Sequence, residues 1–339
     1  MLIYGEKKIR FRDREGPPPS MGLSLSGEVK CILYDENMNI LLETEYQKNV
    51  ITNEGMNYLR EGTAQTPCAY TYVGSGNTAA VFSDGQMQAL LPSGYANNSG
   101  AGDKVIVQPV GPNYEYSGTK SKRFGAGFGT GTVREVGMGG NTAGTQLVCR
   151  QVLSSPITKG ATQSLDVIWR WTAWPEVADK TGVINIGGID YNYILRPQGL
   201  AGPHNFALPP LQGLFGKFAT HTINDDDEAV WDGDIASMLT GTPAGTRAKG
   251  GDIVTEAPYV PGTFDVFGVG TCSVDVNVHA GLTTHNISSG LGIRSTAITT
   301  NQSKYQCQFN AVSDSGRIPK TASNELDLNW RFSWSRHGL

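Results

Sequence analysis

Two nine-residue stretches of this chain align without a gap and share one alternating pattern. Leu165-Asp-Val-Ile-Trp-Arg-Trp-Thr-Ala173 matches Leu326-Asp-Leu-Asn-Trp-Arg-Phe-Ser-Trp334. Period two puts Leu165, Val167, Trp169, Trp171 and Ala173 on one face, with Asp166, Arg170 and Thr172 on the other. The second copy sorts the same way: Leu326, Leu328, Trp330, Phe332 and Trp334 against Asp327, Arg331 and Ser333. Ile168 opposite Asn329 is the one change of character. Such a segment reads as a half-buried strand with an aromatic face in the core. A cysteine in a strand-like run precedes each copy, in Leu147–Arg150 and Tyr305–Phe309. The Cys-to-Leu separations are 16 and 19 residues, which suits two copies with a loop insertion.

The repeat predicts a mainly β fold of two tandem, related β-sandwich-like domains with little helix. Composition agrees: 43 of 339 residues are Gly and only 17% are charged, against usual shares of about 7% and about 25%. The expected divisions are residues 1–22 (an extended N-terminal docking arm and Pro-rich linker), 23–178 (the first β domain) and 179–339 (the second, a diverged repeat). Local signals fill this in. Asp35–Asn39 is turn chemistry between two strand-like runs, which predicts a hairpin. Gly187-Gly188 between Val183–Ile186 and Ile189–Tyr193 predicts a tight one. Thr52-Asn53 is a candidate N-cap for a short helix through Arg60. Cys272, Val274, Val276 and Val278 alternate with polar residues as a further strand.

The first 20 residues differ from the rest. Lys7, Lys8, Arg10, Arg12 and Arg14 outnumber Glu6, Asp13 and Glu15 by two, so a net charge of −4 divides into +2 here and −6 beyond. Pro17-Pro18-Pro19 follows as a stiff spacer. The densest acidic cluster is Asp225, Asp226, Asp227 and Glu228, with Asp232 and Asp234 close behind. Its spacing does not match the helix–loop–helix calcium motif. It reads as a solvated acidic loop, a calcium site, or a docking patch for a neighbour's basic arm. The arm and this cluster are the candidate partner-binding residues.

Several chemistries are disfavoured. The near-neutral charge argues against nucleic-acid binding. No apolar run is long enough to span a membrane, and the N-terminus lacks a signal-peptide core. The five cysteines are scattered with no Cys-x-x-Cys pair, as expected of buried free thiols. Gly74-Ser-Gly-Asn-Thr78 lacks the Gly-Lys-Ser/Thr ending of a phosphate loop, and Gly125–Gly131 lacks the context of a dinucleotide site; both read as turns. His279 and His285 do not form a metal-binding pair. No nucleophile elbow is present, and no carboxylate pair stands out for glycoside hydrolysis. Catalytic residues, cofactors and metals are therefore expected to be none. Tyr95, Tyr114, Tyr116 and Trp231 are loop aromatics that could stack on sugars.

Four sets of residues carry a family resemblance. They are Asn49–Leu59 followed by Tyr72–Ala79; Thr132–Gly139 running through Cys149-Arg150 and Pro156-Ile157 to Leu165-Asp166; Thr181–Tyr191; and Tyr305–Phe309 leading to Ile318–Lys320 and Trp330–Arg336. In these the chain resembles tail-fibre and related tail or neck structural proteins of tailed bacteriophages. The match covers most of residues 25–195 and 290–336. It implies a non-enzymatic virion component, assembled in the host bacterial cytoplasm and acting through protein–protein contacts. The implied partners are further copies of the chain (a trimer in a fibre, more in a neck ring) and other tail or neck proteins. Alternative readings are a host-surface polysaccharide-binding module, a capsid or neck decoration protein, and a glycan-degrading enzyme.

Overall fold

A computed structural model describes residues 7–10, 19–61, 68–98, 103–110, 113–176, 178–198, 229–231, 247–248, 271–280, 292–299, 304–311, 316–320 and 324–338. In chain order its elements are β1 (Lys7–Arg10), β2 (Ser20–Tyr34), β3 (Ile40–Glu43), β4 (Gln47–Lys48), β5 (Val50–Ile51), α1 (Asn53–Glu61), β6 (Tyr70–Gly74), β7 (Leu90–Asn97), β8 (Asp103–Val110), β9 (Asn113–Phe124), β10 (Gly131–Gly139), β11 (Leu147–Lys159), β12 (Ser164–Pro175), β13 (Lys180–Ile186), β14 (Ile189–Gln198), β15 (Ala229–Trp231), β16 (Arg247–Ala248), β17 (Thr271–Ala280), β18 (Ser295–Thr299), β19 (Lys304–Ala311) and β20 (Asn324–Arg336). The protein is mainly β, with a single helix among the described residues.

The described strands form three sheets. The first follows the path β1-β20-β2-β12-β9-β8, with β17 on β20 and β3 and β4 on β2. The second runs β5-β11-β10-β6-β7, and the third β13-β14-β19-β18-β15-β16. Pairing is antiparallel except where β20 runs parallel to β1 and to β2. The two repeated nonapeptides lie in β12 and β20, on either side of β2 in the first sheet.

Alternation decides the faces. In β12 the side chains of Leu165, Val167, Trp169, Trp171 and Ala173 are buried, as are Leu25, Val29, Cys31 and Leu33 of β2. Trp169 and Trp171 stack with ring centroids 6.4 Å apart. Burying 150–250 Å² at about 25 cal/mol per Å² makes each such ring worth roughly 4–6 kcal/mol. The second sheet covers this face with Ile51, Val73, Val133, Val136, Met138, Val148 and Cys149, in one continuous apolar cluster. In the second copy, Leu326 and Trp334 are buried in the same cluster.

Local chemistry fixes the elements that bound the core. Thr52 caps α1: its Oγ1 accepts from the Gly55 N–H at 3.0 Å and donates to the Leu147 carbonyl of β11. Trp334 Nε1 donates to the Met56 carbonyl at 2.9 Å, and Arg336 Nε to the Ile51 carbonyl at 2.8 Å. The end of β20 thus clamps the helix on the second sheet. Gly187 and Gly188 adopt φ of 60° and 87°, the left-handed pair a two-residue hairpin turn requires, and β13 pairs with β14 around them.

Candidate functional site

The described residues hold one deeply buried charge cluster. Glu135 of β10 is fully buried and Arg150 of β11 nearly so. Arg150 Nε donates to Glu135 Oε2 at 2.7 Å, Nη1 to Asp84 at 2.9 Å and Nη2 to the Thr78 carbonyl at 3.0 Å. Burial alone would lower the Arg150 pKa; the bonds to Asp84 and Glu135 outweigh it and hold it raised. The Glu135 carboxylate also accepts the backbone N–H groups of Gly76 (3.2 Å), Gln88 (3.2 Å) and Ala89 (2.7 Å). The glycine-rich loop after β6 therefore gives one amide, that of Gly76, to an anion also held by the amides of Gln88 and Ala89 before β7, and the anion is the protein's own carboxylate. A Cβ on Gly76 would sit 2.5 Å from Glu135 Oε1, so glycine is what admits the close approach. The cluster is a clip: it holds residues 75–89 over the outer face of the second sheet, where Tyr72, Met87 and Leu147 form a second small apolar cluster.

The outward face of the first sheet is a ladder of charge pairs. Arg123 grips Asp166 through two bonds of 2.6 Å, Lys30 meets Glu43 at 2.6 Å, and Arg170 meets Glu28. The Arg170 guanidinium lies 4.0 Å from the Tyr46 ring centroid and that of Arg123 4.9 Å from Tyr34. Partly exposed pairs of this kind contribute about 0–1 kcal/mol each, so they shape a surface more than they hold the fold.

Beside that ladder projects the surface we regard as the candidate site, the β2–β3 hairpin. Asp35 builds its turn, accepting from the Asn37 and Asn39 backbone N–H groups at 2.9 and 2.8 Å. These bonds hold the Asp35 carboxyl below its usual pKa, the side-chain bond from Asn39 most of all. Met38 is held at φ 66°, a left-handed conformation that costs a non-glycine residue about 1–3 kcal/mol. Met38, Ile40, Leu41 and Leu42 are 44%, 58%, 51% and 38% exposed. Four large apolar side chains in five residues thus face solvent, one in the turn and three on β3, which pairs, among the described residues, with β2 alone. Exposed edges are usually blunted by brevity, charge or Pro; β3 is four residues long and ends on Glu43, while its Ile40-Leu41-Leu42 carries no charge.

Of the residues singled out from sequence, Lys7, Lys8 and Arg10 lie in β1, opposite Asn324, Glu325 and Asp327 of β20. Arg12, Arg14, Asp225, Asp226, Asp227 and Glu228 lie outside the described residues, as do Asp232 and Asp234. Tyr95 is exposed on β7, edge-on to Tyr70 at 6.2 Å. Cys31, Cys68, Cys149 and Cys307 are buried free thiols. Burial pushes the pKa of Cys31 and Cys68 up to about 12 and raises Cys149 and Cys307 well above the ordinary thiol value. Among the described residues no group of three His, Cys, Asp or Glu side chains is arranged to hold a metal ion, and no helix is long and apolar enough to cross a membrane.

Sequence reasoning missed the open apolar edge, although it placed a hairpin there. The signal was the break in alternation at Ile40-Leu41-Leu42, three apolar residues together where a half-buried strand should show one polar. It also missed the clip, whose members are 15 and 66 residues apart. No family model matches the chain, and neither a curated protein nor a solved structure is found to be similar to it.

Proposed function

We propose that this chain is a structural component of a tailed-bacteriophage virion, a tail-fibre or tail/neck protein that works by protein–protein contact. The single observation that carries the reading is the exposed apolar stretch Met38–Leu42, at a strand whose one strand neighbour among the described residues is β2. A contiguous exposed apolar patch on an open strand is costly in water and is the form a strand-addition interface takes before it is filled. The resemblance of the motifs to phage tail and neck proteins supports reading it as an interface in a particle built of repeated copies. In this reading the protein is a homo-oligomer, its duplicated strands serve as scaffold, and its basic N-terminal segment contributes to docking.

Purified particles test this. The chain should be found in them by mass spectrometry and localised to tail or neck by electron microscopy with a specific antibody. Its absence from particles would end the virion reading. A second reading, binding of host-surface polysaccharide, is favoured by Tyr95, an exposed aromatic braced by Tyr70. Saturable glycan binding lost in Tyr95→Ala would support it; unchanged binding or none would remove it.

A further inference from the structure

Among the described residues five strands of the first sheet, β1, β3, β4, β8 and β17, have a single strand neighbour; two of them, β1 and β3, sit at stepped positions and differ in chemistry. β1 flanks β20 on the same side as β2, because residues 326 and 327 of β20 pair with β1 on one side and β17 on the other, and residues 331–335 with β2 and β17. The free edge of β1 therefore faces the β12 side. β3 lies on the opposite side of β2 from β12, so its free edge faces the other way. β1 runs parallel to β2 through their shared neighbour β20, and β3 runs antiparallel to β2.

The charges complement each other. Three of the four residues of β1 are basic, while residues 35–45 carry Asp35, Glu36, Glu43 and Glu45 and no base. A residue inside a sheet has a lateral neighbour on each side. Lys8 and Arg10 have Glu325 and Asp327 at one, and no strand neighbour among the described residues at the other.

On the reading of this chain as an assembling virion protein, we infer that the free edge of β1 in one copy pairs with the free edge of β3 in the next. The sheet then continues from copy to copy. The two edges face opposite ways, so copies related without in-plane rotation meet with β1 antiparallel to β3, the more stable strand pairing. The acidic hairpin receives the basic strand, and Met38, Ile40, Leu41 and Leu42 are covered. Donor and acceptor are different surfaces, so the contact is heterologous: it closes into a ring or propagates as a filament, and it does not stop at two.

The full-length chain tests this by sedimentation velocity and light scattering, with circular dichroism to check folding. The wild-type protein should form species larger than a dimer that dissociate in high salt. Glu36→Lys/Glu45→Lys removes the acceptor and Lys7→Glu/Lys8→Glu/Arg10→Glu the donor. Each variant alone should be monomeric, with association weakened at least tenfold. Mixed one to one they should form a complex that stops at two copies, because the hairpin variant still donates and the strand variant still accepts. A monomeric wild type, variants that assemble normally, or a mixture that stays monomeric would each overturn the inference. Particle incorporation is measured separately, so the virion reading can survive any of these results, and a ring or filament formed by a chain absent from particles would spare the contact alone.

Discussion

Replacing Glu135 with Ala should loosen residues 75–89 before it harms the rest of the fold. The carboxylate is fully buried and accepts three backbone N–H groups besides Arg150. Removing it leaves Arg150 with Asp84 and the Thr78 carbonyl as its remaining partners. Breaking a buried ion pair by deleting one member costs about 3–5 kcal/mol, and each orphaned buried donor a further ~1–3 kcal/mol if it cannot relax. The loop can relax by lifting off and admitting water, which caps the loss. We therefore expect a global destabilisation of about 3–5 kcal/mol, with the amides of Gly76, Gln88 and Ala89 exchanging far faster. Glu135→Gln keeps one acceptor oxygen and the side-chain shape, so it should cost less. Glu28→Ala, which removes the partly exposed partner of Arg170, is the internal control at about 0–1 kcal/mol. Denaturant unfolding supplies the energies, and hydrogen exchange locates the loss. If Glu135→Ala costs no more than Glu28→Ala, or the three amides keep their protection, the clip does not hold the loop.

Three further outcomes follow from the same packing. Native protein treated with a thiol reagent at pH 8 should react at no more than one of its five cysteines, Cys272, and at all five once denatured, because Cys31, Cys68, Cys149 and Cys307 are buried with raised pKa values. Lys159 is buried, its ammonium donating to the Gly125 carbonyl at 3.0 Å, and burial lowers its pKa. The unfolded chain then binds more protons between the lowered value and about 10.4. Stability should rise with pH through that window, and Lys159→Met should abolish the rise in denaturation midpoint. Trp334→Phe removes the donor to the Met56 carbonyl and should cost about 1–3 kcal/mol, read as a lower thermal midpoint with loss of helical signal from α1.

Features set by neighbours in the chain were legible from sequence. Gly187-Gly188 makes a left-handed turn because no side chain forbids it, Thr52 caps a helix three residues from its bond partner, and the period-two faces of Leu165–Ala173 follow from the pleat itself. Partner choice was not legible. Nothing local says that β2 should lie between the two repeated strands, antiparallel to one and parallel to the other. That arrangement depends on which faces pack best across the whole chain. From sequence Gly74–Thr78 reads as a plain turn. Only the fold could bring Glu135 beneath the Gly76 amide, since an N–H group binds whichever anion is placed there. The repeated nonapeptide thus determined by itself that there are two strands with aromatic core faces. Tertiary structure decided that both belong to one sheet, and that β1 and β3 each have one strand neighbour among the described residues, because strand pairing joins residues hundreds of positions apart through backbone groups that every sequence shares.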